Sequence, residues 1–499
     1  MNIRAVAKML GIVVMIVGAF LMIPAIVGLS YGEYGAMRAF LSSSALSLGV
    51  GGLLAFMFRD STHDENGRAK YYRREGLATV GLAWIVAGIA GALPYLFSGT
   101  LDSIVDAYFE SVSGWTTTGS TVMSPEGIDG MSHAIAFWRC FSQWLGGFGI
   151  VMVFVVFFPT GGRSLFRSEV PGVSREAAHQ RVRDSANMLA RIYCLLSVGL
   201  LASLLAAGMP GFDAVVHTFS TIANGGFSNH SASIAYFDSG LIEMILVAFM
   251  LLSGLNFAIY DALLRKGPQG RVRTAWGRFY GSLEARLFLG IVAFATLSIA
   301  AVLWHTEGLG SFQDPVRSAR DSLFQVVCII TTAGFGTADF DAWPQYCRML
   351  LMLLAICGAC AGSTSGGLKL VRVAIMMKAA LVSVRRMARP RMLNQVRVDG
   401  ETLDEGVVAS VTGYFVLWVA VFAAATMILA SFGTDLETSA TAVIATLNNI
   451  GPGLSGVGPV QNFSGLHDLA KVVLSLCMVL GRLEFYALVV LLMPSFWRR

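Results

Sequence analysis

Four short stretches rich in threonine, asparagine and glycine recur along the chain and could bind a cation through backbone oxygen atoms. They lie about 110 residues apart, which is typical of an internally repeated architecture. Glycine adopts backbone angles that other residues avoid, and rings of carbonyl oxygens can replace the water shell of a cation. The candidate ligands are Thr117, Thr118 and Gly119 in the first stretch, Asn224, Gly225 and Gly226 in the second, Thr332, Ala333 and Gly334 in the third, and Asn449, Ile450 and Gly451 in the fourth.

Each stretch follows a short segment that predicts a helix too short to cross a bilayer. Asp106, Asp213 and Asp321 precede the first three glycines by the same interval, and Thr438 precedes the fourth by that interval. An aspartate at a helix start can cap free N–H groups and face the positive end of the dipole. We therefore expect four helices that enter the membrane partway and direct their negative ends at the glycine stretches. Loops that merely connect helices are the alternative, and four copies at one offset weigh against it.

The composition indicates a membrane protein. Of the 499 residues, 55% are hydrophobic and only 13% are charged, whereas soluble domains carry about 25% charged residues. A helical span needs about 20 apolar residues. Runs of that length predict spans at 6–29, 36–58, 76–98, 134–159, 187–208, 239–264, 284–305, 346–382, 405–431 and 467–493.

The spans alternate with the glycine stretches, so the chain is expected to be an all-α polytopic membrane protein. Its architecture would be four helix–pore loop–helix repeats around a central pore, preceded by an N-terminal transmembrane hairpin of two helices. The expected boundaries are 1–60 for the hairpin, 76–160 for repeat 1, 187–265 for repeat 2, 279–383 for repeat 3 and 404–499 for repeat 4.

Arginine and lysine cluster after spans two, four, six and eight and near both ends of the chain. Such clusters mark the cytoplasmic side of a membrane protein. All of them fall on one side if the spans alternate, so we expect both termini in the cytoplasm. The opposite side carries the glycine stretches and several aspartates, whose charge would concentrate cations.

The sequences WTTTGST, ANGGFSNH, TTAGFGT and NNIGPG, in this order, resemble the four pore loops of the TrkH/TrkG/KtrB superfamily of potassium-uptake proteins. The resemblance covers essentially the full length, and the extra hairpin matches the TrkH type. It implies a gated, potassium-selective, channel-like pore in the bacterial inner membrane, with K⁺ bound in the filter and no organic cofactor. Relatives that favour sodium often carry serine at the first filter position, so Gly119 favours potassium. The implied partners are membrane lipid, a second copy of the chain and a TrkA-like cytosolic nucleotide-binding regulatory subunit; no nucleic acid is expected.

Two further features fit the resemblance. The eighth span is interrupted by a run of small and hydroxyl residues that a continuous helix disfavours, and similar runs in the family form an intramembrane gating loop. Arg482 lies within the last span, where the matching family arginine projects into the pore as an electrostatic barrier. The alternatives are close helix packing for the run and an ion pair with Glu484 for Arg482. The gating residues of the run are Gly358, Gly362, Ser363, Thr364, Ser365, Gly366 and Gly367.

Two other functions are alternatives to a potassium pore. The same fold could be a sodium-permeable pore or an ion-coupled transporter that links K⁺ to Na⁺ or H⁺. A polytopic membrane enzyme would need convergent catalytic side chains, but the seven histidines are scattered and no HExxH or GxSxG motif occurs. We therefore expect no enzymatic activity. Because no phosphate-binding glycine loop is apparent, nucleotide control would come from the partner subunit.

Overall fold

The computed structural model describes residues 1–59, 73–157, 175–257, 259–260, 277, 279–306, 314–389, 395–399 and 401–497. The basic connections predicted to face the cytoplasm lie largely outside these residues, at 60–72, 158–174, 261–276 and 390–394. Within the described part, strand structure is limited to one antiparallel pair, β1 (Arg397–Val398) and β2 (Glu401–Thr402).

The helices follow the predicted alternation of long and short elements. In chain order they are α1 (Ile3–Phe20), α2 (Met22–Ser30), α3 (Tyr34–Met57), α4 (Arg73–Phe97), α5 (Ile104–Trp115), α6 (Pro125–Asp129), α7 (His133–Phe157), α8 (Arg175–Ala206), α9 (Gly211–Ala223), α10 (Gly240–Gly254), α11 (Leu283–His305), α12 (Pro315–Ile330), α13 (Gln345–Ile356), α14 (Leu370–Ala388), α15 (Glu405–Ser431), α16 (Leu436–Leu447), α17 (Asp468–Arg482), α18 (Tyr486–Leu492) and α19 (Pro494–Trp497).

Among the described residues, six segments are long and apolar enough to cross a membrane: Ile3–Ser30, Tyr34–Met57, Arg74–Phe97, Ala186–Ala206, Leu283–His305 and Glu405–Ser431. The short helices α5, α9, α12 and α16 each follow a longer helix, and each ends at a glycine stretch. These observations confirm an all-α, multi-pass membrane protein with four repeats behind an N-terminal hairpin. The exact repeat boundaries stay predictions.

Three predicted spans are broken in the structure. The first is divided at Leu21, because Pro24 in the next turn has no N–H with which to continue the helix. The eighth is open between Ile356 and Leu370, as the run of glycines predicted. The tenth was predicted as one span, but α17 ends at Arg482 and the next helix starts only after a turn. That difference bears on the barrier assigned to Arg482.

The caps of the short helices correct the role expected for the aspartates. α5 is capped by Ser103 rather than Asp106, and α12 begins at Pro315 behind the cap Asp314. Asp106 therefore lies in the first turn of its helix, whereas Asp321 lies in the second. A carboxylate in the first turn still faces the positive end of the helix dipole. Asp106 also accepts a hydrogen bond from Lys471 Nζ at 2.6 Å.

Contacts divide the chain into two compact units. The first comprises Met1–Gly146, Gly225–Tyr236 and Ala425–Arg499, and the second comprises Gly147–Asn224 and Phe237–Ala424. The first unit thus contains glycine stretches one and four and the two glycines of stretch two. The second contains Asn224, stretch three and the loop between Ile356 and Leu370, which is called the gating loop after the role expected for it.

Candidate ion-binding loops and gating loop

The four glycine stretches share one backbone conformation. In each, the residue two positions before the glycine has a positive φ: 54° at Thr117, 52° at Asn224, 60° at Thr332 and 54° at Asn449. The glycines Gly119, Gly226, Gly334 and Gly451 also have positive φ, of 84°, 78°, 74° and 108°. A left-handed conformation costs a residue with a side chain about 1–2 kcal/mol, and such strain tends to persist at functional sites. The same strained path at four repeats indicates a shared purpose.

Hydrogen bonds fix how the chain leaves three of the short helices. The N–H of Thr118 donates to Ser113 O at 2.9 Å, that of Ala333 to Cys328 O at 2.8 Å, and that of Ile450 to Ala445 O at 2.8 Å. This is the six-to-one bond of the Schellman motif. It stops the helix at the start of the stretch, so the partial negative charge of the helix end lies at the candidate ligands.

In the first unit, side chains join stretch one to stretch four. Asn449 Nδ2 donates to Thr118 Oγ1 at 2.9 Å and to Met478 O at 2.9 Å, and Ser120 Oγ donates to Gly451 O at 2.9 Å. These groups are buried. Asparagine and hydroxyl side chains therefore hold these two loops together by hydrogen bonds.

Two of the glycines in these stretches leave no room for a side chain. A Cβ at Gly119 would overlap the carbonyl oxygen of Gly225, and a Cβ at Gly451 would lie 2.9 Å from Thr118 O. Both glycines also have positive φ, so a side chain would be strained by its surroundings and by the backbone. In this unit, stretches one and four and the glycines of stretch two are therefore close neighbours through their backbones.

Gln143 of α7 supports stretch two and was missed by the sequence analysis. Its Nε2 donates to Gly225 O at 2.6 Å, and its Oε1 accepts from Phe227 N at 3.2 Å. The side chain is fully buried. A polar side chain within an apolar helix was the available signal, because such groups are costly in a membrane unless they are satisfied.

A buried ion pair supports the segment after stretch one and was also missed. Glu110 accepts from Arg139 Nε at 2.9 Å, from Thr121 Oγ1 at 3.0 Å and from Val122 N at 3.0 Å. Arg139 also donates to Ser228 O at 2.9 Å. One ion pair thus holds both the segment after stretch one and the segment after stretch two.

Replacing Arg139 by methionine is expected to lower the free energy of unfolding by about 3–5 kcal/mol, because Glu110 would remain buried without its cation. Thermal unfolding of the purified protein in detergent measures the change. The matched control is Arg386→Met, which removes an exposed ion pair with Glu405 and is expected to change stability by about 1 kcal/mol or less. Equal shifts in the two variants would contradict the structural role of Arg139.

A further carboxylate joins two segments of the first unit. Asp129 accepts from Ser231 N at 2.8 Å and from Ser231 Oγ at 2.6 Å. The side-chain hydrogen bond is the main reason that the pKa of Asp129 is lowered, and the backbone bond adds to it. The segment that follows stretch two is thereby fastened to the end of α6.

In the second unit, the gating loop contacts two candidate filter residues directly. Asn224 Nδ2 donates to Thr364 Oγ1 at 2.9 Å, and Gly366 N donates to Thr332 Oγ1 at 2.8 Å. Asn224 Oδ1 accepts from Ser253 Oγ at 2.9 Å. The run predicted to interrupt the eighth span is therefore an ordered, largely buried loop attached to stretches two and three. Close packing of a continuous helix, the alternative for this run, is excluded by the break between α13 and α14.

Three positions of the gating loop require glycine, for two different structural reasons. Gly362 and Gly367 have positive φ of 69° and 73°. A Cβ at Gly358 would overlap the carbonyl oxygen of Gly366. Ser363 Oγ and Ser365 Oγ are hydrogen bonded to each other at 2.7 Å. The loop conformation thus depends on most of the residues that the sequence singled out.

Arg482 is the last residue of α17 and is 2% exposed. Glu484 and Phe485, which follow, have positive φ of 52° and 63°. The helix packs closely against the end of α16, since a Cβ at Gly481 would overlap Leu447 O. Arg482 is therefore held at a helix end next to a strained turn, rather than within a continuous span as the sequence suggested.

The described part of the chain contains no cluster of metal-ligating side chains. No group of three or more histidine, cysteine, aspartate or glutamate residues there could hold a metal ion.

Comparisons with known proteins agree with the geometry. Residues 37–499 match the family model described as "TrkH: Cation transport protein". The chain is 37% identical to the Trk system potassium uptake protein TrkH of Salmonella typhimurium, and the match covers 100% of both chains. It is 31% identical to TrkG of Escherichia coli, over 100% of this chain and 99% of that one. The crystal structure of the potassium transporter TrkH from Vibrio parahaemolyticus superimposes with a TM-score of 0.88 at 35% identity, covering 100% of both chains.

A family match over most of the chain and relatives at full coverage confirm the resemblance noted in the sequence. They also identify the class of protein as a transporter rather than an enzyme. The chain belongs to the TrkH family of cation transport proteins.

Proposed function

We propose that the protein takes up potassium across the bacterial inner membrane, as the membrane subunit of a Trk-type system with a gated, potassium-selective pore. The observation that carries the proposal is the shared conformation of the four stretches, each a left-handed residue, one further residue and a left-handed glycine at the end of a short helix. Non-helical backbone at membrane depth is tolerated where it is buried in protein or lines a water-filled path. The relatives are named potassium uptake proteins.

In this proposal K⁺ is the transported ion and loses its water shell to backbone carbonyl oxygens. The ligands are Thr117, Thr118, Gly119, Asn224, Gly225, Gly226, Thr332, Ala333, Gly334, Asn449, Ile450 and Gly451. Gln143 and Ser120 donate to the carbonyls of Gly225 and Gly451, which would hold these oxygens in place. Oxygens held in this way cannot readily move inward to contact a smaller ion, so the loops would favour one cation size over another.

The gating loop and Arg482 would control passage. The loop is hydrogen bonded to Asn224 and Thr332, so its displacement would alter residues assigned to the filter. A buried arginine raises the energy of a cation nearby, so Arg482 would act as a second, electrostatic barrier.

The assembly proposed here has three parts. A homodimer of this chain would lie in the lipid bilayer with both termini in the cytoplasm. A TrkA-like nucleotide-binding subunit would dock on the basic cytoplasmic face and control the gate. The "Trk system" in the names of the relatives supports a transporter with more than one component.

Cation flux into liposomes containing the purified protein tests the proposal, with K⁺, Rb⁺ and Na⁺ compared in the absence of nucleotide. We expect saturable K⁺ and Rb⁺ flux that exceeds Na⁺ flux. Equal Na⁺ flux would favour a sodium-permeable pore on the same fold. Uptake that requires an opposing or accompanying Na⁺ or H⁺ gradient would favour a coupled transporter.

A further inference from the structure

The two ends of the gating loop are joined to each other. Gly358 N donates to Leu368 O at 2.7 Å, and Leu370 N donates to Ala359 O at 3.2 Å. These bonds close a neck between the end of α13 and the start of α14. Movement of the loop as a whole therefore requires the neck to shift or to open.

One carboxylate bridges this neck. Glu284, the second residue of α11, accepts from Ala361 N at 2.6 Å and from Val371 N at 3.3 Å through the same oxygen. Ala361 lies on the loop side of the neck, and Val371 lies in the first turn of α14. Lys369, which is also buried, interacts electrostatically with this carboxylate.

A buried carboxylate at this place needs an explanation. Glu284 is 9% exposed and begins a membrane-spanning segment. Burial of a charge is costly unless the charge is paired and hydrogen bonded. Glu284 is not among the filter and gating residues proposed above. Its hydrogen bonds to two backbone groups ten residues apart indicate that it positions the loop.

The start of α11 is in turn fixed by the β1–β2 hairpin. Asp399 Oδ1, at the turn of the hairpin, accepts from Leu283 N at 2.7 Å. Val396, Val398 and Leu403 form a buried apolar cluster with Ile375 of α14. Leu283 packs against the same cluster. The hairpin, the first turn of α11 and α14 therefore pack as one piece around the neck.

We propose that Glu284 is the latch of the gating loop, and that the β1–β2 hairpin acts on the latch through Asp399 and Leu283. This inference rests on the proposed function, since it assigns the loop to a gate. A force on the hairpin displaces the first turn of α11 and with it the carboxylate at the neck.

Cys360 lies within the loop and is fully buried, so its reaction with a small thiol reagent reports on the loop without any ion flux. The experiment uses the full chain with the other six cysteines replaced by alanine, reconstituted in liposomes. Labelling of Cys360 and flux of K⁺ and Na⁺ are measured for Glu284→Ala, Glu284→Gln and Asp399→Ala. Glu405→Ala is the matched control, because Glu405 begins α15 and forms only an exposed ion pair.

Glu284→Ala is expected to speed labelling and raise flux by about tenfold, since two hydrogen bonds to a charged acceptor are lost. Glu284→Gln is expected to retain part of the latch, because its amide oxygen still accepts, and to raise both by about threefold. The K⁺/Na⁺ ratio is expected to stay at the wild-type value in both. General loss of structure would not preserve that ratio.

Labelling of Glu284→Ala at the wild-type rate would overturn the latch. Asp399→Ala removes the acceptor of Leu283 N. It is expected to speed labelling when made alone and to add nothing to Glu284→Ala, because it acts through the same contact. Full additivity would overturn the role of the hairpin. If Glu284→Ala is labelled faster than the wild type while neither protein conducts any cation, the latch is upheld and the proposed pore is rejected.

Discussion

Replacing Gly119 by serine is expected to lower the K⁺/Na⁺ permeability ratio by about tenfold, which corresponds to about 1.4 kcal/mol. A Cβ at this position would overlap the carbonyl oxygen of Gly225, which already accepts a hydrogen bond from Gln143. The positive φ of 84° adds strain for any residue with a side chain. Both effects displace oxygens that we assign to the ion, and displaced oxygens compensate the loss of K⁺ hydration less well. Flux in liposomes under bi-ionic gradients measures the ratio.

The control for this variant is Gly52→Ser. Gly52 lies in α3 of the same unit, and a Cβ there would meet nothing within 4 Å. Its substitution is expected to leave the permeability ratio unchanged. Gly451→Ser, whose Cβ would lie 2.9 Å from Thr118 O, is expected to change the ratio in the same direction as Gly119→Ser. An unaltered ratio in both filter variants would contradict the assignment of the filter.

The sequence predicts the glycine stretches and the gating loop well because their signals are local. A left-handed residue at a helix end calls for glycine or a small polar residue, and a run of glycines cannot continue a helix. The helix starts could also have been read more accurately. Asp314 followed by Pro315 is a cap and first-turn pair, and it places the start of α12 before Asp321 as the structure does.

The β1–β2 hairpin was not predicted although its signal is present. Asp399 is followed by Gly400, and Asp-Gly between apolar and β-branched residues is a strong hairpin signal. The basic residues around it were interpreted first as markers of membrane topology and second as a contact for lipid or a partner. The cluster of basic residues thus masked the Asp-Gly hairpin signal in the same segment.

The side chains that support the loops could not be derived from spacing. Glu110 and Arg139 are 29 residues apart in sequence, and Gln143 and Gly225 are 82 apart. Their pairing depends on how α5, α7 and the segment after α9 pack together. The sequence shows only that each polar side chain stands in an apolar helix and needs a partner. The turn after α17 is a similar case, since no glycine occupies the positive-φ positions Glu484 and Phe485.

Replacing Arg482 by alanine is expected to raise basal K⁺ flux by about thirtyfold. If the guanidinium acts on a cation from about 8 Å in an environment of effective dielectric constant about 20, their repulsion is about 2 kcal/mol. The burial of Arg482 at the end of α17 limits screening by water, so the repulsion is not averaged away. Flux of Rb⁺ into liposomes without nucleotide measures the change.

Two further variants decide whether charge is the cause. Arg482→Lys keeps the positive charge and is expected to keep flux within about threefold of wild type, since a threefold change in rate is less than 1 kcal/mol. Lys471→Met removes another buried cation from α17, one paired with Asp106, and is expected to reduce stability without raising flux. High flux in the lysine variant would attribute the barrier to the shape of the guanidinium. High flux in Lys471→Met would show that loosening of α17, rather than loss of a charge, opens the path, and the electrostatic role of Arg482 would then be wrong.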